Sequence, residues 1–522
     1  MDNDMELNGM NGFSDKQPSV TSQPKSLDRD EAVLARFGKK QRLRRRFGLI
    51  SAIGITSTLM ITWEAITATL LNGLENGGPA GLIYTYLFVW GGAILQTLVM
   101  AELASMIPLA GGPFNWVAIL APRYCRKYLS YLAGWLSVIS YLALVSATCY
   151  VAGTLVQGLL ILNYPSYVYE NWHGTLLFYA VLFFGLFVNT ILGRLLPQIE
   201  SLLLVFHILG FFAILIPIVY LAPQHQSASE VFGTFLNTGE YSSNFAAALV
   251  GMVTVTNSFP GLDAADHIAE EIHDAPRVIP IAIGTSTMLN GIMGFAMLLA
   301  LLFCQPDDIQ STIGSDTFYP FINIYAYATQ SNSGATALTA VLICTQIFGA
   351  IGMIATSSRM IWAFAREGGL PFSKYLSRVD EKTRLPIWAI GVTTVISLLL
   401  ALINIGSTVG FTAFISLVVA GYYSSFLLAA SVMLHKRLTV PASQIPWGWF
   451  KLGRFGVPIT VLSIAFTIIG GIFSFFPSTV DPTPETMNYC VLVYGSALLF
   501  SAVFWLLYGR KTYTGPIMET DA

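Results

Sequence analysis

Asn257-Ser-Phe-Pro-Gly-Leu-Asp-Ala-Ala-Asp-His-Ile-Ala-Glu-Glu271 closes an apolar run that opens near Phe245. A helix of the length needed to cross a bilayer here carries Pro260-Gly261 past its middle and Asp263 just beyond. In water this would be a loop. In hydrocarbon every backbone N–H and C=O needs a partner, so an interrupted helix survives only packed in protein or lining a cavity. An intramembrane carboxylate is equally expensive and marks a functional position. The stretch therefore reads as one wall of a solute site within a membrane protein.

Composition agrees. The 522 residues are 54% hydrophobic and 11% charged, with mean hydropathy +0.63. A soluble chain would carry about a quarter charged residues, so this is a polytopic membrane protein. The net charge of -2 gives no basis for binding nucleic acid. The five cysteines stand singly, without the spacing of a metal site. Cys304 and Cys490 both fall near predicted outer helix ends, which leaves a disulfide open.

Residues 1–46 are polar and charged, without the apolar core of a signal peptide, and read as a cytoplasmic tail. Asp28 with Glu31 three residues on predicts a short interfacial helix. The basic cluster Lys39 to Arg46 is suited to anionic lipid headgroups at the inner leaflet.

Crossing hydrocarbon takes ~20 residues. Twelve apolar segments are long enough, at roughly 47–73, 81–106, 128–161, 175–192, 200–222, 245–268, 280–304, 335–364, 386–404, 408–433, 456–476 and 488–508. They define a permease-like body over 47–508 and a short cytoplasmic tail over 509–522. With the N-terminus inside, all 27 Lys and Arg fall in predicted inner segments. One missed or extra span would destroy that agreement with the positive-inside rule. The expected fold is thus an all-α, multi-pass membrane protein with both termini cytoplasmic.

The first span holds Gly54-Ile-Thr-Ser-Thr-Leu-Met-Ile-Thr-Trp-Glu64, the sixth holds the Pro260-Gly261 break, and each opens a block of five spans. Because five is odd, the blocks run in opposite orientation. Interrupted segments in corresponding positions point to an inverted-repeat transporter site. Half-helix ends offer N–H groups to a carboxylate and carbonyls to an ammonium, which suits a small zwitterion or amine. Candidate site residues are Thr56, Ser57, Thr58, Thr62 and Trp63 at the first break, and Asn257, Ser258, Phe259, Pro260 and Gly261 at the second. Trp63 and Phe259 are the rings available for a lid or for cation-π attraction. Against this, Ser and Thr in such helices also bond i-4 carbonyls or glue neighbouring helices.

Candidate coupling or gating charges are Glu64, Glu102, Asp263 and Arg359. Glu102 and Arg359 lie near inner ends, as a structural ion pair or gate contact would. For Asp263 three roles stay open: fixing the unwound backbone, pairing with a cation, or carrying a proton. His207, mid-span, reads as a satisfied core histidine. No Walker A, HExxH, GxSxG or strand-borne GxGxxG occurs, so neither an enzyme nor ATP-driven transport is implied, and no cofactor or metal. Energy would come from a gradient, with protons the expected partner.

Four stretches carry a resemblance: Leu34-Ala-Arg-Phe-Gly-Lys-Lys-Gln-Arg-Leu-Arg-Arg-Arg-Phe47, Pro108-Leu-Ala-Gly-Gly-Pro-Phe-Asn-Trp116, the run from Gly261 to Pro280, and Ser357-Ser-Arg-Met-Ile-Trp-Ala-Phe-Ala-Arg-Glu-Gly-Gly-Leu-Pro371. In this order they resemble the amino acid-polyamine-organocation superfamily, and within it the fungal amino acid/choline/GABA permease branch. The resemblance implies a LeuT-like five-plus-five inverted repeat plus two C-terminal helices, alternating access, and a site between the first, third, sixth, eighth and tenth spans. The superfamily's Gly-Ser-Gly type first break is replaced here by Thr56-Ser-Thr-Leu-Met-Ile-Thr-Trp63. Bulkier residues there point past α-amino acids toward GABA, choline or an alkaloid precursor. A nutrient sensor on the same fold and a channel are the rival readings; the fourteen residues after Tyr508 argue against the first, and the lack of a continuous polar stripe against the second. The plasma membrane is the expected location, with the vacuolar membrane as alternative.

Overall fold

The computed structural model describes residues 26–315, 317–406, 408–484 and 486–515, without the side chains of 26–28 and 407–415. The N-terminal tail upstream of 26 and the last residues of the C-terminal tail lie outside the described residues. The fold is all-helical. Its membrane elements are α1 (Leu49–Met60) and α2 (Thr62–Ala68), α3 (Gly78–Met106), α4 (Arg126–Asn163), α5 (Asn171–Thr190), α6 (Leu196–Leu221), α7 (Asn244–Thr256) with the one-turn α8 (Ala264–His267), α9 (Ala275–Phe303), α10 (Asn332–Arg366), α11 (Ile387–Gly406), α12 (Thr408–Thr439), α13 (Gly456–Phe473) and α14 (Cys490–Phe504).

Among the described residues eleven helical stretches are long and apolar enough to span a bilayer, counting α1 and α2 as one. The sixth crossing is α7 with its irregular continuation, which brings the total to the expected twelve. Boundaries shift by a few residues. The fifth span starts at Leu196 and not near 200, which carries Glu200 inside it. The predicted interfacial helix is present over Ser26–Ala35. Cys304 and Cys490 are both free and buried, so the disulfide left open above is not made.

The second span packs on the seventh (α3 on α9), the third on the eighth (α4 on α10), and the fourth on the ninth (α5 on α11). Each helix thus meets its counterpart five spans later, as elements related by an in-plane two-fold do. α13 and α14 stand outside that pattern, α13 against α3 and α12, α14 against α12 and α4. The lipid-facing side is plainly apolar: Leu202, Leu209 and Ile216 of α6 are 60% or more exposed, as only a hydrocarbon solvent allows.

Without a hydrophobic drive between helices in lipid, close approach depends on small residues. α1 meets α6 at Gly54, where a β-carbon would lie 2.6 Å from the Glu200 carbonyl oxygen. Gly54→Val should therefore push the two helices apart and lower stability by ~1–3 kcal/mol. Gly91→Ala, with nothing within 4 Å of its β-carbon, should not. Melting of the detergent-solubilised variants distinguishes the two; equal melting temperatures would remove Gly54 from the contact.

Candidate functional site

The two interruptions differ in kind. α1 stops at Met60, Ile61 takes the left-handed conformation (φ 37°, ψ 44°), and α2 restarts at Thr62. A β-branched residue at positive φ is strained. The chain direction changes there, and Asn290 on α9 accepts a hydrogen bond from the Thr62 N–H at 3.4 Å. The second interruption is longer: Asn257 to Asp263 belong to no helix. Pro260 removes one N–H that would otherwise need a partner. Gly261 has φ 94°, and a β-carbon there would stand 3.1 Å from the Leu59 carbonyl oxygen. The two breaks touch at this glycine.

A cavity lies beside them. The first break contributes Leu59, Met60 and Ile61, with Ala65, Ala68 and Thr69 beyond; the second contributes Asn257 and Pro260. Leu144, Ala147, Thr148 and Val151 come from α4, Gln346 from α10 and Val418 from α12. These are the first, third, sixth, eighth and tenth spans. The wall is mostly apolar with a few placed polar groups, and the described lining has no charged side chain and no aromatic ring. α1 and α7 both end at it, so it faces the carbonyl ends of two helices.

Of the ten residues read from sequence as site candidates, Asn257 and Pro260 are in this lining. Gly261 stands one residue behind, where the breaks meet. The hydroxyls of the first break turn away. Thr56 bonds back to the Ala52 carbonyl at 2.9 Å, Ser57 bonds to Ser286 at 3.0 Å, and Thr58 lies 2.9 Å from the Glu200 carboxyl and 3.0 Å from the Gly54 carbonyl. Ser258 bonds back to Thr254 at 3.2 Å. The Thr62 hydroxyl is buried without a partner. The rings are elsewhere too: Trp63 packs on His207 and Phe211 of α6, and Phe259 on Tyr86 of α3. Thr69, Thr148 and Gln346 were the missed polar groups; α4 and α10 carry several other uncharged polar residues, so nothing in the sequence singles these out.

The four charged candidates all have partners. Glu64 bonds to His207 Nδ1 at 2.7 Å, both buried, which ties α2 to α6. Glu102 pairs with Arg437 and accepts from the Leu452 N–H at 2.7 Å. Arg359 bonds to Glu271 at 2.7 Å. Asp263 accepts from the Tyr141 hydroxyl at 2.6 Å and sits 3.0 Å from His267 Nε2.

Arg359 and Glu271 belong to a larger buried network at the basic end of the bundle. Arg366 grips Glu270 with two bonds of 2.9 and 2.5 Å and stacks on Trp362. Lys39 pairs with Glu367, while the backbone N–H groups of Arg46 and Phe47 donate to the Glu271 carbonyl at 2.8 and 3.0 Å. The segment before α1 is thereby sewn to the tail of the sixth span and the end of α10. Burial pushes the Lys39 ammonium below its ordinary pKa, and the Glu367 carboxylate opposes that. This end of the molecule is closed.

Comparison with known proteins accounts for the arrangement. A family model described as amino acid permease matches residues 47–497. A protein of Macrophomina phaseolina named as an amino acid/polyamine transporter is 33% identical over 84% of this chain and 96% of its own length. The choline transporter of Saccharomyces cerevisiae is 30% identical over 90% of this chain and 83% of its own. Among solved structures, a manganese transporter of Eremococcus coleocola has a TM-score of 0.55 at 13% identity, covering 89% of this chain and 95% of that one, which shows a shared fold. With two broken helices meeting beside a cavity and a family match over most of its length, this chain belongs to the amino acid permease family: it is a secondary transporter of the LeuT-like fold and not an enzyme.

Proposed function

We propose that the chain carries a small amine-headed solute, amino acid-like, through the cavity at the crossing of the two breaks by alternating access, with a proton gradient as the driving force. The observation that carries this is the lining: apolar, uncharged, and facing the carbonyl ends of α1 and α7. Helix C-termini attract cations, so the ammonium is the group this cavity is built to hold. The proposed site residues are Asn257, Pro260, Thr148 and Gln346, with Gly261 holding the breaks together.

A choline-like cation is the second reading. The same two C-termini favour it, since the lining offers no cationic side chain to a carboxylate and the Thr62 N–H is already taken by Asn290. The relative from Saccharomyces cerevisiae is named a choline transporter, which supports this reading.

In the proposed orientation the basic end faces the cytoplasm together with both termini, and the membrane is the plasma membrane. Residues 47–508 form the transport body between two cytoplasmic tails. The network of Lys39, Arg359 and Arg366 with Glu367, Glu271 and Glu270 is then the inner gate, shut in this conformation. Glu102 with Arg437 acts as a structural clamp.

Uptake of radiolabelled choline, GABA and an amino acid panel into yeast lacking its own permeases, at two external pH values, tests the reading. Accumulation of one compound, faster at acid pH, is expected; surface-expressed protein that moves none of them would overturn it. Gln346→Ala should raise the KM for the transported compound about tenfold, the loss of one polar contact worth ~1.4 kcal/mol, whereas Trp63→Phe should leave KM unchanged because Trp63 faces α6. A KM insensitive to Gln346 would move the site elsewhere. At the gate, Arg359→Gln strands the buried Glu271 carboxylate and should cost ~3–5 kcal/mol in thermal stability, partly restored by adding Glu271→Gln. Lack of rescue in the double variant would show that the pair is not what Arg359 provides.

A further inference from the structure

Just past the second break the chain holds three titratable groups within five residues, Asp263, Asp266 and His267, all buried. Their hydrogen bonds fix a proton count. His267 Nδ1 lies 3.3 Å from the Ala110 carbonyl oxygen, which can only accept, so Nδ1 carries a hydrogen. His267 Nε2 lies 3.0 Å from Asp263 Oδ2, and the other Asp263 oxygen already accepts from Tyr141. A hydrogen bond between Nε2 and Oδ2 then requires one further proton, on the ring or on the carboxyl. The Asp263–His267 pair is therefore neutral as a unit.

Asp266 has no such arrangement. It is 1% exposed, and both of its carboxyl oxygens lack a hydrogen-bond partner. The carboxyl nearest to it electrostatically, Asp263, belongs to the neutral pair and offers it no counter-charge. The remaining titratable and charged groups on the elements packed around it give no compensation. Tyr141 of α4 is engaged by Asp263, and Tyr422 of α12 points its hydroxyl at Met100 Sδ. Glu270 and Glu271 are held by Arg366 and Arg359 of α10. Arg277 at the start of α9 lies over Trp449. An ionised carboxylate with neither donor nor counter-ion in a dry interior is far costlier than the neutral acid, so in this closed conformation Asp266 carries a proton.

We infer that Asp266, backed by the Asp263–His267 pair, is a proton switch whose neutral acid is required for the basic end to close. The inference rests on the proposed alternating access, in which the basic end opens and closes. Its mechanical basis is position. Asn257 and Pro260 of the same irregular segment line the solute cavity. On the other side His267 is wedged against Gly112 (φ 48°), where a β-carbon would stand 3.1 Å from the ring. Parting of the basic end separates the 107–112 loop from residues 264–271 and admits water to Asp266. The O–H bond of its carboxyl then breaks, the proton passes to that water, and the carboxylate left behind is hydrated. Reclosing requires the proton back from the water on that same side, so the pH at the basic end sets how readily this end closes.

Two measurements on the full-length protein in proteoliposomes test this. In infrared titration from acid to alkaline pH, the protonated-carboxyl carbonyl band of the wild type should contain a component that bleaches as the pH rises, that Asp266→Asn lacks and that Asp266→Glu keeps. A band unchanged in Asp266→Asn would overturn the assignment whatever the protein transports. In transport, uptake of choline, GABA or an amino acid should respond to the pH on the side of the basic end in the wild type and in Asp266→Glu, and lose that response in Asp266→Asn. An undiminished response to that pH in Asp266→Asn overturns the switch. If the wild type moves none of these probes, the substrate reading fails and the infrared result still decides whether Asp266 binds the proton.

Discussion

The close contact of Gly261 with the Leu59 carbonyl is the constraint on which the centre of this protein depends. Two unwound backbones cannot each stand alone in hydrocarbon, since their polar groups would go unpaired. Laid against one another, each screens the other from lipid, and the solute cavity is the space left beside the crossing. The contact needs a residue that tolerates φ 94° and brings no side chain between the strands. Only glycine meets both conditions. The strained Ile61 opposite is held by the same crossing, and strain of this kind persists where the surroundings over-determine it.

Around that crossing, polar side chains divide between two tasks. Those of the half-helices mostly tie helices together: Ser57 to α9, Thr58 toward α6, and Glu64 to His207. The cavity itself takes its polarity from backbone ends and from amide and hydroxyl groups on the neighbouring spans. A lining without formal charge suits a carrier, because a solute gripped by a buried ion would leave slowly.

Much of this was legible in the sequence. Hydropathy and the placement of the 27 Lys and Arg gave the spans, and Pro260-Gly261 with Asp263 gave the second break. Side-chain directions at the first break were not legible. α1 is buried on nearly all faces and its hydroxyl residues Thr56, Ser57 and Thr58 are consecutive, spread around the helix, so no amphipathic stripe says which way each of them turns. That rotation is set by what the neighbours need: a carboxyl at Glu200, a hydroxyl at Ser286, a ring beside His207. Glu200 escaped notice because the span was started too late, at the very residue that belongs inside it. The apolar wall formed by Leu59, Met60 and Ile61 carries no chemical signature at all, since apolar residues at membrane depth are the background.

The network at the basic end bears on how the molecule can move. Its cations come from the segment before α1 and from α10, its anions from the tail of the sixth span and from α10. Parting these pairs one at a time would leave a desolvated ion stranded at every step, each worth several kcal/mol. A concerted separation strands none, because water enters all pairs together. If this end is the proposed gate, the concerted route is the cheaper one, and its opening is all-or-none even though no single pair in it is exceptional.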